Sequence, residues 1–166
     1  MLAGCAAQPQ RDRAAEAAAF RGATEVFVAQ TFLPALRFCA AQQAGAVADP
    51  AQLTAAGFAA ANSATLSKTT TGNVGMPPGP ASAFVVLTDG CSVRTNGVSI
   101  ARSEIAAATG RALAEQGFAP VDEDAGLPSG SPPTQVFRKG AARIGVAATS
   151  VVTDGMPFVN VAIRAL

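Results

Sequence analysis

The chain has 166 residues, of which 49% are hydrophobic and 14% are charged, and its net charge at pH 7 is +1. This length and apolar content suit a single domain with a substantial core. The even charge balance argues against a nucleic-acid partner. Histidine is absent, which removes the commonest general base and the commonest metal ligand and so disfavours an enzyme. No apolar run approaches the roughly 18 residues of a membrane-spanning helix.

The N-terminus carries the motif Leu2-Ala3-Gly4-Cys5. It resembles the lipobox of bacterial lipoproteins, in which signal peptidase cuts before the cysteine and lipid is attached to its sulfur. The resemblance implies lipidation of Cys5, and Ala6 after it resembles the sorting signal for the outer membrane. On this interpretation residues 1–21 are lipobox, tether and stalk, anchored in the periplasm by lipid. The alternative is an Ala-rich N-terminus that happens to contain a cysteine.

The remaining two cysteines, Cys39 and Cys91, lie too far apart in the sequence for a CxxC redox motif. With Cys5 lipidated, they are predicted to pair in the oxidising compartment outside the inner membrane. Two buried free thiols are the alternative, since cysteine packs well in apolar surroundings.

The first third of the chain predicts helices. From Thr24 onward apolar residues recur at helical spacing, with interruptions expected at Gly22 and Pro34 and an end at Gly45. A second helix is predicted from Asp49, a capping residue, to Gly57. The segment 62–82 is rich in Ser, Thr, Gly and Pro and is predicted to be a long exposed loop.

The rest of the chain predicts strands around one helix. A hairpin is expected near residues 84–94, with an Asp-Gly turn, and a helix follows over 100–116. A short edge strand near 120–122 and a second loop, 124–133, come next. Strands are predicted over 134–138, 142–153 and 158–163, the last with Val159, Val161 and Ile163 facing the core.

Two motifs occur twice. Leu53, Gly57 and Phe58 recur as Leu113, Gly117 and Phe118, and the Thr-Asp-Gly that follows a strand at 88–90 recurs at 153–155. The chain can therefore be interpreted as two half-repeats, 49–99 and 100–166. Independent use of Gly and Asp at helix ends and hairpin turns is the alternative.

These elements predict an α+β fold for a single domain over residues 22–166. Two or three helices are expected to pack on one face of a mostly antiparallel sheet of five or six strands. The predicted disulfide would then join the N-terminal helix to the first hairpin.

No residue pattern indicates catalysis, a cofactor or a metal. Asp122, Glu123 and Asp124 form the densest acidic cluster, but the further ligands of a calcium loop are missing and a solvated loop is the simpler interpretation. Ser67 and Lys68 are adjacent, which does not give a nucleophile and base the required geometry.

The predicted function is a lipid-anchored periplasmic binding or scaffold module, an accessory subunit of a cell-envelope complex. Its contact surfaces are expected on the two loops, at Met76, Pro77 and Pro78 and at the acidic cluster 122–124. An envelope hydrolase, a small-ligand-binding lipoprotein and a disulfide-stapled inhibitor domain are the alternatives.

Overall fold

The computed structural model describes residues 13–71, 74, 79–88, 90–128, 131 and 134–166. Its helices are α1 (Arg13–Phe27), α2 (Leu33–Gln43), α3 (Pro50–Ala55) and α4 (Arg102–Ala114), with a π-helical turn, Val28–Phe32, between α1 and α2. Its strands are β1 (Ala59–Asn62), β2 (Thr65–Thr69), β3 (Ser82–Val86), β4 (Cys91–Asn96), β5 (Ala119–Val121), β6 (Thr134–Lys139), β7 (Ala142–Thr153) and β8 (Met156–Ala165).

The α1 helix, the π turn and α2 form one continuous helix, because the backbone at both junctions stays in the right-handed helical region. Pro34 lies in the first turn of α2, as expected of a helix that restarts at proline. Proline has no N–H for the carbonyl of Gln30, four residues earlier, and the Lys68 ammonium donates to that oxygen instead, at 3.2 Å. The predicted interruption at Gly22 is wrong, since α1 runs through it.

The two predicted helix ends, at Gly57-Phe58 and at Gly117-Phe118, are confirmed. Gly57 and Gly117 have φ of +87° and +81°, and the N–H of the Phe after each donates back to the carbonyl of Leu53 or Leu113. At the start of α3, the Asp49 carboxylate accepts from the Ala51 N–H at 2.9 Å. The predicted α3 and α4 are therefore present, with α4 a little shorter than expected.

Over the described ranges the sheet has eight strands in the order β1-β2-β3-β4-β8-β7-β6-β5, all antiparallel. The α+β class is confirmed, and the expected five or six strands are too few. The prediction of one loop over 62–82 is wrong, because β2 occupies Thr65–Thr69. The Ser, Thr and Lys residues of β2 favour a loop when only the local sequence is considered. The strand forms because it pairs on both sides, with β1 and with β3.

The helices lie on one face of the sheet, and the core fills the space between the two layers. Val159, Val161 and Ile163 on β8 are at most 1% exposed, which confirms the predicted core face. The α2 helix packs on β4 and β8, the two central strands, and on α3 and α4. The disulfide is present between Cys39 of α2 and Cys91 of β4, so it joins the helical layer to the middle of the sheet.

Each half of the domain repeats one order of elements, a helix followed by four strands. The α3 helix precedes β1 to β4, and α4 precedes β5 to β8. The halves meet at the antiparallel β4–β8 pair. The two Thr-Asp-Gly segments fall at equivalent places in the chain order, where β3 is followed by β4 and β7 by β8. Among the described residues, no helix is long and apolar enough to cross a membrane.

Candidate binding cleft

A cleft of about 590 Å³ lies between α4 and the β6–β7 pair. The α4 helix covers one side, and the distal half of β7 extends beyond the region that the helix covers. Its lining includes Arg102, Ile105, Ala106 and Thr109 of α4 and Ala148 and Ser150 of β7.

The walls of the cleft are mainly apolar. Ile105 and Val146 are buried at its base. Thr109 is also buried, and its hydroxyl donates to the Ile105 carbonyl at 2.8 Å, so this polar group is satisfied within its own helix. Ala106 and Ala148 are exposed to the opening. A surface of this kind binds apolar groups through desolvation.

Charge is sparse in the cleft. Arg102 is the one ionisable side chain among its described lining residues, and no carboxylate lines it. General acid–base catalysis needs positioned titratable groups, and the described lining does not assemble a pair of them. The arrangement is suited to binding an apolar group, with an anion at the Arg102 end.

An exposed apolar hairpin tip continues the cleft. The β7–β8 turn is formed by Asp154 and Gly155, both at positive φ, +51° and +75°, as in a type I′ turn. Around it, Val151, Val152 and Met156 are 50%, 68% and 54% exposed. Val151 also lines the cleft, and Val152 lies on the same face of the sheet as Ala148 and Ser150, so the tip borders the outer end of the cleft.

The acidic cluster of the second predicted loop is tied to the sheet. Glu123 accepts from Arg138 at 2.7 Å and lies 3.4 Å from Arg143. Arg143 also donates to the Asp124 carbonyl at 2.6 Å, and the Asp124 carboxylate accepts from the Gly126 N–H at 3.0 Å. Asp122 is exposed. In the described part of the chain, no group of three or more His, Cys, Asp or Glu side chains is placed to hold a metal ion.

Other predicted site residues are separated or lie outside the described ranges. Ser67 pairs with Phe84 and Lys68 with Ala83 on neighbouring strands, so the two side chains point to opposite faces of the sheet. Burial lowers the pKa of Lys68, whose ammonium is engaged by the Gln30 carbonyl. Cys5 lies outside the described residues, as do Met76, Pro77 and Pro78.

Sequence reasoning missed the residues of the cleft. Ile105 and Thr109 carry only a core signal, since helical spacing predicts burial of both. The usable signal was in β7, where the consecutive Val151 and Val152 put an apolar side chain on each face of a strand end. Comparison of the chain with protein-family models, with curated proteins and with solved structures gives no match.

Proposed function

We propose that this protein is a lipid-anchored binding module of the bacterial envelope, and that it holds a partner protein on the surface formed by the cleft and the hairpin tip. The observation that carries this proposal is an apolar cleft that is lined at its outer end by Val151 and followed by the exposed hairpin tip. Contiguous exposed apolar surface is costly in a protein that works alone and is typical of interaction sites.

Two further features support an extracytoplasmic location. The Cys39–Cys91 disulfide is of a kind that persists in oxidising compartments such as the periplasm. The Leu2-Ala3-Gly4-Cys5 motif resembles a lipobox, and α1, whose first residues are exposed, follows it in the chain as a stalk. Several acyl chains on one cysteine would give stable attachment without a membrane-spanning helix.

The test is a crosslinked pull-down from detergent-solubilised native membranes. Wild type is expected to recover a stoichiometric partner, and Val152→Asp combined with Met156→Asp is expected to lose it, because two buried charges would oppose the contact. The matched control is Val47→Asp, which changes an apolar side chain that is 96% exposed and lies between α2 and α3. Recovery of the protein alone would refute the proposal.

A Cys5→Ser variant tests the anchor in the same experiment. It is expected to move the protein from the membrane to the soluble fraction and to lose the partner. Unchanged membrane association of Cys5→Ser would contradict lipidation at this residue.

The volume of the cleft supports a second candidate, a small apolar ligand. About 590 Å³ lies within the usual range of small-molecule sites, roughly 300–1,000 Å³. Native mass spectrometry of the purified protein distinguishes the two. A bound small molecule that Ala106→Trp displaces would favour this second function over a protein partner.

A further inference from the structure

In the described part of the chain, no strand pairs with the outer half of β7 on the side away from β8. The β6–β7 pairing stops at Thr134 and Ala147, whereas β7 continues to Thr153. Within the described residues, 148–153 pair with β8 alone. The two residues before Thr134 in the sequence are prolines, which have no N–H to offer to a continuing ladder.

The hydrogen-bonding groups at this edge can be assigned. The Leu166 N–H donates to the Arg143 carbonyl, on the β8 side of β7. Backbone groups alternate sides along an antiparallel strand, so every second residue from Arg143 faces β8. The intervening residues Ser150 and Val152 therefore direct their N–H and C=O groups to the open edge.

The sequence of this edge lacks the usual protection against pairing. Natural sheets guard exposed edges with charges, proline or bulges. The segment 148–153 reads Ala-Thr-Ser-Val-Val-Thr, without charge, proline or glycine, and is rich in β-branched residues. It pairs with β8 in a regular register. An unguarded, regular edge is typical of a site that receives an additional strand.

The cleft lies beside this edge, on the helical side of the sheet. Aligned on Thr-Asp-Gly, Ala148 and Ser150 correspond to Ala83 and Val85 of the first half. Ala83 and Val85 are fully buried, in the core that includes Phe27 and Phe32. Ala148 is exposed and Ser150 half-buried. The second half thus leaves exposed a sheet surface whose counterpart in the first half is buried.

We infer that an extended segment of the partner protein adds to β7 as a new edge strand along residues 148–153. The backbone of the segment forms hydrogen bonds with the backbone of Ser150 and Val152. Alternate side chains of the segment enter the cleft, where large apolar side chains pack against Ile105 and Ala106. A carboxylate of the segment sits near Arg102, the one charged group among the described lining residues. This inference rests on the proposed function and names the kind of partner.

A second copy of this chain fits the edge less well. Strand pairing between two copies of 148–153 would present Ala148, Ser150 and Val152 to each cleft, since these residues share the helical face. Their side chains are small compared with a cleft of about 590 Å³. Large apolar side chains on a different protein match it better.

The experiment uses the full chain and a display library of short random peptides. Selected peptides are expected to alternate large apolar with polar residues and to carry an acidic residue or a free carboxyl end. On binding, amide exchange at Ser150 and Val152 should slow at least about tenfold, as for newly formed ladder bonds. Thr149 and Val151, already bonded to β8, should change little.

Two substitutions at one position test the backbone contact. Ser150→Pro removes an outward N–H and leaves the β8 ladder intact, so it should weaken the selected peptides at least about tenfold. Ser150→Ala keeps the N–H and should bind as wild type does. Thermal unfolding of both variants checks the fold, and Val152→Pro replaces Ser150→Pro if the latter is unfolded.

Three results would overturn the inference. The library could yield no binding peptide, or the selected peptides could bind the proline variants as tightly as wild type. Sedimentation could also show a dimer of this chain that Ser150→Pro converts to a monomer. If the native partner is captured equally by Ser150→Pro and Ser150→Ala, strand addition fails while the binding module stands. If no partner is captured at all, it is the proposed function that fails.

Discussion

Gly57 and Gly117 occupy the left-handed backbone region, where side chains with a Cβ are strained. Each also has a lysine packed against it. A Cβ at Gly57 would lie 3.4 Å from the Cε of Lys68, and one at Gly117 would lie 3.3 Å from the Cε of Lys139. The Gly-Phe motif was thus a reliable helix-stop signal, because it depends on backbone conformation and on one local hydrogen bond.

Gly117→Ala is expected to lower the free energy of unfolding by about 1–2 kcal/mol, because alanine is disfavoured at positive φ. Gly110→Ala is the matched control within α4, where no atom lies within 4 Å of the added Cβ. It should stabilise the protein by up to about 1 kcal/mol through helix propensity. Urea unfolding measures both, and equal effects would contradict the explanation.

At the scale of elements, α2 and α4 are joined by a two-bond ion pair. The Arg37 guanidinium donates to both carboxylate oxygens of Glu115, at 2.8 and 2.7 Å. This bond lowers the pKa of Glu115 and raises that of Arg37. Both side chains are about 40% exposed, so solvent screens the pair and its contribution to stability is at most about 1 kcal/mol.

The lowered pKa of Glu115 sets the sign of a pH effect. Its stabilising contribution is present above the ordinary value near 4.5 and is lost as the pH falls through the lower, folded-state pKa. Glu115→Gln should therefore unfold at a lower temperature than wild type at neutral pH, and the two should converge in acid. Glu25→Gln, on exposed α1, is the control. A difference that persists below pH 3 would contradict this account.

At the scale of the molecule, α2 lies across the junction of the two halves. It contacts β4 and β8, the strands through which the halves pair, and the disulfide fixes it there. The shared order of a helix and four strands supports the interpretation of the chain as a duplicated unit, which stays a prediction. The halves differ in how much of the sheet is buried. The helical face of β3 is buried, whereas that of the outer half of β7 is partly exposed, and the cleft lies there, beside α4.

Removal of the disulfide by Cys39→Ala with Cys91→Ala should lower the free energy of unfolding by about 4 kcal/mol, because the disulfide closes a loop and so restricts the conformational entropy of the unfolded chain. The sequence separation is 52 residues. Thermal and urea unfolding measure the loss, and wild type under reducing conditions should show a similar one. A loss below about 1 kcal/mol would show that packing of α2 alone holds the halves together.

The sequence by itself determined the α+β class, both Gly-Phe helix stops and the core face of β8. Each of these follows from short-range chemistry or from periodicity. Tertiary structure decided the existence of β2, whose local composition favours a loop but which is paired on both sides. It also decided the cleft, because whether Ala148 or Ala83 is covered depends on where a distant helix packs.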